Sequence, residues 1–150
     1  MIREATLQDL DNVFNISKRL YLHSANHIRV YEWDDDTALC TLREFITSKH
    51  STILIDEKDG DLRGFIMAQL TTPYAGKKII ANDIAFFVIP EFQGGTTALR
   101  LIKAYEKWAR QAGATHIELG VSSGVDTERT LSMYSYLGYA PSSVTYIKEL

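Results

Sequence analysis

One stretch, Ile84 to Val121, leaves the chain few choices of fold. Ile84 to Ile89 is an apolar run rich in β-branched and aromatic residues, which predicts a buried strand. Pro90 ends it, because proline cannot donate to a sheet ladder. Gln93-Gly94-Gly95-Thr96-Thr97 then reads as a polar, glycine-rich turn. Ala98, Leu101, Ile102, Tyr105, Trp108, Ala109 and Ala112 recur at helical spacing, so an amphipathic helix follows. Gly113 is its stop signal, and His116 to Val121 reads as a second strand. Strand, turn, helix and strand make a βαβ unit, so the two strands are expected to lie parallel.

The turn carries the chemistry. A helix N-terminus has unpaired N–H groups and a partial positive charge, which suit a phosphate. Glycines there let the backbone approach the anion closely. The sequence has neither Gly-x-x-x-x-Gly-Lys-Ser/Thr nor Gly-x-Gly-x-x-Gly at this place, so two common nucleotide motifs are excluded. With Val88-Ile89-Pro90-Glu91 ahead of it, Gln93 at its first position and Ala98 at its last, the loop resembles the pyrophosphate loop of the GCN5-related N-acetyltransferases (GNAT). That family uses acetyl-coenzyme A. Thr96 stands where the family usually has its middle glycine. Main-chain N–H groups hold the phosphate, so a threonine in helical backbone serves there. The resemblance runs nearly end to end. It implies a cofactor site at Phe87, Val88, Ile89, Gln93, Gly94, Gly95, Thr96, Thr97 and Ala98.

Composition fits one globular domain over residues 1–150, which the resemblance makes an N-acetyltransferase domain. Hydrophobic residues are 45% and charged residues 23% of the chain, which is ordinary globular usage and enough for a sizeable core. A net charge of −3 speaks against nucleic acid as the main partner. The one cysteine, Cys40, allows no internal disulfide and fits a reducing, cytoplasmic setting. No apolar run is long enough for a membrane span, and the start of the chain has no signal-peptide pattern.

Taken in order, Met1 to Ala5 predicts a short strand. Thr6, with Asp9 three residues on, caps a helix whose apolar face is Leu7, Leu10, Val13, Phe14 and Leu20. Tyr21 to Trp33 shows no clear period. Asp34-Asp35-Asp36 starts the next helix, with Leu39, Leu42, Phe45 and Ile46 as its buried face and Cys40 as a buried thiol. Ser51 to Glu57 and Leu62 to Leu70 are strands, joined by a turn with the hairpin signal Asp59-Gly60. Pro73 to Gly76 turns the chain into a strand from Lys78 to Ile89. Asp126 or Thr127 caps a last helix, Glu128 to Leu137, which Gly138 ends. Ser143 to Lys148 reads as a final strand. This order matches the GNAT topology, an α/β fold with a central mixed sheet and helices on both faces.

Leu131 to Tyr139 resembles a second family motif, and Tyr134 falls on its tyrosine. The resemblance makes Tyr134 the acid that protonates the departing thiolate, as well as a cofactor contact; a phenol can serve so. Thr127 stands where many members have a cofactor-binding Asn. Asp83, early in the fourth strand, is the candidate general base, since an ammonium must lose a proton before it can attack a thioester. Glu118 is a weaker candidate for the same role. His23, His27, Tyr31 and Trp33 lie in a segment that borders the acceptor cleft in the family. The histidines lack the pattern of a zinc site, so no metal is expected.

The resemblance thus implies an acetyl-coenzyme A-dependent N-acetyltransferase. It would act on a primary amine, carried by a small molecule or a protein, by direct attack in a ternary complex. The alternative is a coenzyme A-binding, catalytically weak partner-binding module, and a weaker third reading is a nucleotide-binding domain. Many family members form homodimers, but no residue pattern here marks the interface.

Overall fold

In the computed structural model, which describes residues 1–150, the N-terminal strand β1 (Ile2–Glu4) lies antiparallel to β2 (Ser51–Lys58). Arg3 secures that edge. Its guanidinium makes two 2.7 Å contacts to the Asp9 carboxylate and a 2.6 Å contact to Glu57. Asp9 also accepts from the Thr6 N–H and hydroxyl, at 2.8 and 2.9 Å. A 3-10 turn at Leu7–Asp9 leads into α1 (Leu10–His23), so Leu7 lies outside the helical face and is exposed, contrary to expectation. Val13, Ile16 and Leu20 are buried at helical spacing, as is Leu10.

The stretch without a clear period is mostly helical. After α1, Ser24 leaves helical geometry (φ −102°, ψ 100°), and α2 (Ala25–Val30) begins, with the Ser24 Oγ accepting from the His27 N–H. The helix was hidden because it is six residues long and buries none of them, while the aromatics on either side of it pack on one another, Tyr21 on Tyr31 and on Trp33. Next comes α3 (Asp35–Thr47), capped by Asp34, whose carboxylate accepts from the Thr37 N–H at 2.7 Å. Only Leu42 is fully buried on α3, while Leu39, Phe45 and Ile46 are half-buried against the core. This stripe is narrow. Cys40 lies about 100° round the helix from Leu39 and is exposed, not the buried thiol the pattern predicts.

The hairpin of β2 and β3 (Asp61–Thr71) turns on Asp59 and Gly60, both at positive φ (56° and 87°), as a two-residue turn with matching twist requires. β4 (Ile80–Val88) continues the antiparallel sheet, α4 (Thr97–Gln111) crosses it, and β5 (His116–Glu118) pairs parallel with β4. α5 (Thr127–Tyr136) follows, and Gly138 (φ 89°) ends it. The sheet order is β1-β2-β3-β4-β5. Its strands alternate: Ile53, Ile55, Phe65, Met67 and Phe87 face α1 and α3, while Leu54, Ile66, Ala68, Ala81 and Val88 face α4. Helices therefore cover both faces.

Two strand expectations fail. β5 stops at Glu118 rather than Val121, because the Gly120 N–H turns to the Asp83 side chain instead of a ladder partner. Ser143 to Lys148 forms no strand, since no sheet edge of the same chain receives its hydrogen bonds.

Candidate active site

The site exists because β4 and β5 part. They pair only from Ile80 to Asn82 on β4. From Asp83 onward, β4 keeps β3 on one flank and has no strand on the other. Along β3, Met67 opposes Ala85 and Ala68 opposes Asp83, which leaves Ile84 bulged and unpaired. Bulges re-aim neighbouring side chains and often sit beside functional sites. A cavity of about 380 Å³ opens in the gap, lined by β4 from Asp83 to Val88 and by residues 120–123 opposite. Asn82 is occupied elsewhere: it accepts from the Thr71 hydroxyl and donates to Glu118.

Asp83 and Tyr134 meet at one residue. The Gly120 N–H donates to Asp83 Oδ1 at 2.8 Å, and the Tyr134 hydroxyl donates to the Gly120 carbonyl at 3.2 Å. Burial pushes the Asp83 carboxyl up to about 6, although the Gly120 N–H pulls the other way, and the Glu118 charge adds to the rise. Burial also raises the Tyr134 phenol above its ordinary value, and the Asp83 charge raises it further. The pair thus combines a carboxylate that titrates near neutrality with a phenol that stays protonated.

The glycine turn closes the other end of the cavity. Gln93 Nε2 donates to the Val88 carbonyl at 2.9 Å, tying the turn to the end of the strand. Gly94 has φ 82°, a conformation that L side chains rarely adopt. Thr96 has φ −92° and ψ −3°, so it takes the helical backbone that its place in the motif requires. Gln93, Gly94, Gly95 and Ala98 line the cavity with Phe87 and Val88, but Ile89, Thr96, Thr97 and Thr127 do not. Thr97 is buried, and Thr127 is exposed at the start of α5.

The sequence reading missed Arg129. It stands in the first turn of α5, lines the cavity and forms no ion pair. Its guanidinium lies 3.3 Å from where a Cβ on Gly94 would be. A cation in the first turn of a helix opposes the helix dipole, and that misfit was the available signal. Of the four aromatic candidates, His23 and His27 line the cavity. Burial lowers the pKa of His27, whose Nε2 lies 3.2 Å from Ser122 Oγ. Tyr31 and Trp33 stay outside; Trp33 donates to Asp35 at 2.7 Å and packs edge-on against Phe14. Glu118 also lies outside the cavity, held by Asn82.

A mixed sheet split between its fourth and fifth strands, with a glycine turn opening a helix at the split, has the topology that the sequence motifs imply. The chain belongs to the acetyltransferase (GNAT) family, whose sequence profile matches residues 10–139. No curated protein matches it. Among solved structures, it is similar to aminoglycoside N-acetyltransferase AAC(6')-Iy in complex with a coenzyme A bisubstrate analogue, with 21% identity, 100% of this chain and 98% of that one covered, and a TM-score of 0.78. It is also similar to aminoglycoside 6'-N-acetyltransferase AAC(6')-IG from Acinetobacter haemolyticus (16% identity, 100% and 98% covered, TM-score 0.75). A ribosomal-protein-alanine N-acetyltransferase from Brucella melitensis biovar Abortus 2308 is a third (15%, 100% and 99%, TM-score 0.75). At these identities the likeness is one of fold.

Proposed function

We propose that the chain transfers an acetyl group from acetyl-coenzyme A to a primary amine within a ternary complex. The observation that carries this reading is the gap between β4 and β5, where Asp83, Tyr134 and the glycine turn line one cavity. The pyrophosphate sits on the main chain of Gly94 to Ala98 at the start of α4, where the helix dipole favours it, and Arg129 pairs with it from α5. The pantetheine arm pairs with the open flank of β4 beside Phe87 and Val88. A main-chain N–H at the bulge polarises the thioester carbonyl.

The ammonium acceptor gives one proton to Asp83, and its nitrogen lone pair then attacks the carbonyl carbon. The C–N bond forms and the C–S bond breaks as the nitrogen loses its second proton to water. Tyr134 donates its phenolic proton to the departing sulfur and recovers one from solvent. Asp83 then gives its proton to solvent, so the products are an amide, free coenzyme A and one released proton. Much of the acceleration comes from holding amine and thioester together. The family match and the coenzyme A-bound relatives support the cofactor. The names of two relatives make aminoglycosides the first acceptors to try.

The test incubates the chain with acetyl-coenzyme A and a panel of aminoglycosides, polyamines and peptide N-termini, and measures thiol release. The proposal expects acceptor-dependent release. Coenzyme A binding with no release on any acceptor would leave the partner-binding module as the better reading.

A further inference from the structure

Beyond Glu118 the chain leaves β5, and no ladder holds Gly120. Its N–H and carbonyl go to the side chains of Asp83 and Tyr134. Two such bonds do not order a segment by themselves, because each residue fixed costs about 1–2 kcal/mol of backbone entropy. The segment after Gly120 is held instead by residues at the end of α1 and the start of α2. Ser24 Oγ donates to the Ser123 carbonyl at 3.0 Å, 99 positions along the chain. Asn26 Nδ2 donates to the Ser122 carbonyl at 3.1 Å, and the Asn26 N–H reaches the Ser123 carbonyl at 3.4 Å. His27 Nε2 lies against Ser122 Oγ.

The contact is built on both sides. Gly124 has φ 75°, and a Cβ there would lie 2.7 Å from Asn26 Nδ2 and 2.9 Å from its Cγ, so only a glycine lets the segment pass this close to the amide. Ser24 is fully buried and follows a helix whose Val13, Ile16 and Leu20 pack into the core. α2 itself buries no residue, so polar bonds rather than apolar packing dock it here. A continuous path thus runs from the core through α1 and Ser24 to Ser123, and from there to Gly120. Asp83 also faces Glu118 from β5, Tyr105 from α4, and Tyr134 and Tyr139 from α5 and the residues after it, none of which hydrogen-bonds to it. From these elements, Gly120 is its donor.

We propose that Ser24 and Asn26 are positioning residues, which hold Ser122 and Ser123 so that Gly120 keeps the Asp83 carboxylate and the Tyr134 hydroxyl in their places in the cleft. Neither residue touches the reacting atoms. Their consequence for turnover rests on the acetyl-transfer reading, in which Asp83 and Tyr134 carry the protons. Their hold on Gly120 does not depend on it.

The experiment follows the Gly120 amide by NMR through a pH titration of the ligand-free chain, and measures turnover separately. In the wild type the amide proton shift should move as Asp83 ionises, with a midpoint near pH 6. In Ser24→Ala and in Asn26→Ala it should lose most of that movement. The amide should also exchange roughly tenfold faster or more, because a hydrogen bond to a charged group is lost. Neither substitution takes an apolar group from the core, and circular dichroism should show the fold intact. Turnover should fall by roughly 10–10²-fold in both, the scale of a small misplacement of reacting groups. Arg29→Ala is the control, since Arg29 is exposed on the same helix and forms no ion pair; it should change neither readout. An unchanged Gly120 titration in either variant would overturn the proposal, whatever turnover does. An equal loss in Arg29→Ala would overturn it too, since Gly120 would then answer to any change in α2. A chain that releases no thiol with any acceptor sinks the acetyl-transfer reading, and the Gly120 titration still decides this one.

Discussion

At the scale of single residues, Gly120 links the two groups proposed to move protons. It donates to Asp83 and accepts from Tyr134, so each group reports on the other. A base works best when its pKa lies near the working pH, and Asp83 at about 6 meets that condition. The charged form is needed, so activity of the wild type should fall as pH drops through 6. Asp83→Asn should lower turnover at neutral pH by roughly 10²–10⁴-fold and move the acid limb of the profile up towards the acceptor's own pKa. A profile of unchanged shape would demote Asp83 to a strand support. Stability gives a second readout with a definite sign. A carboxyl whose pKa is raised by folding is destabilising above its folded pKa of about 6, and this cost fades as pH falls towards the unfolded value of about 3.9. Asp83→Asn should therefore raise Tm at pH 8 and gain little at pH 4. For Tyr134→Phe, the expectation is a loss of turnover with coenzyme A affinity nearly unchanged, read from kcat against a binding isotherm.

At the scale of elements, the sequence showed most where local rules act alone. Asp59-Gly60 fixed a hairpin turn, and Gly113 and Gly138 ended helices at positive φ. It failed where one element depends on a distant one. The bulge at Ile84 arises from pairing with β3, and the early end of β5 arises from the Asp83 side chain. Arg129 escaped notice because it nears Gly94 only after α5 docks, 35 positions on from that glycine. Within β3, the fold gives Gly64 a role that the strand assignment alone does not show. A Cβ there would lie 2.7 Å from the Phe87 carbonyl and 3.1 Å from Leu101. β3 can approach the site strand this closely only without a side chain. Gly64→Ala should cost about 1–3 kcal/mol by overpacking, a Tm drop of roughly 2–10 °C in thermal unfolding. Because the clash pushes on β4, coenzyme A affinity should fall as well. A stable variant with full affinity would mean that β4 yields without consequence for the cleft.

At the scale of the whole molecule, the two faces are unequally held. The face under α1 and α3 is closed, and Arg3 with Asp9 and Glu57 fastens its edge. The side of β5 and α5 is thinly packed, with Tyr134 as its one buried side chain after Ala109. Thinly packed regions open first, well below the cost of global unfolding. The proposed pyrophosphate site spans this boundary, from the start of α4 and Gly94 to Arg129 on α5. A ligand held from both sides should fasten α5 to the rest of the fold. Binding only to the closed form adds RT ln(1 + [L]/Kd), about 2.7 kcal/mol at a hundredfold excess over Kd. Amide exchange with saturating coenzyme A should therefore slow in α5 far more than in α1 or β2, whose openings the ligand does not span. Arg129→Gln removes the charge but leaves the loop intact. In that variant coenzyme A should still slow exchange at the start of α4, while α5 gains little protection and affinity loses part of its salt dependence. Equal slowing in every element, or full α5 protection without the arginine, would show that the ligand is held from the α4 side alone.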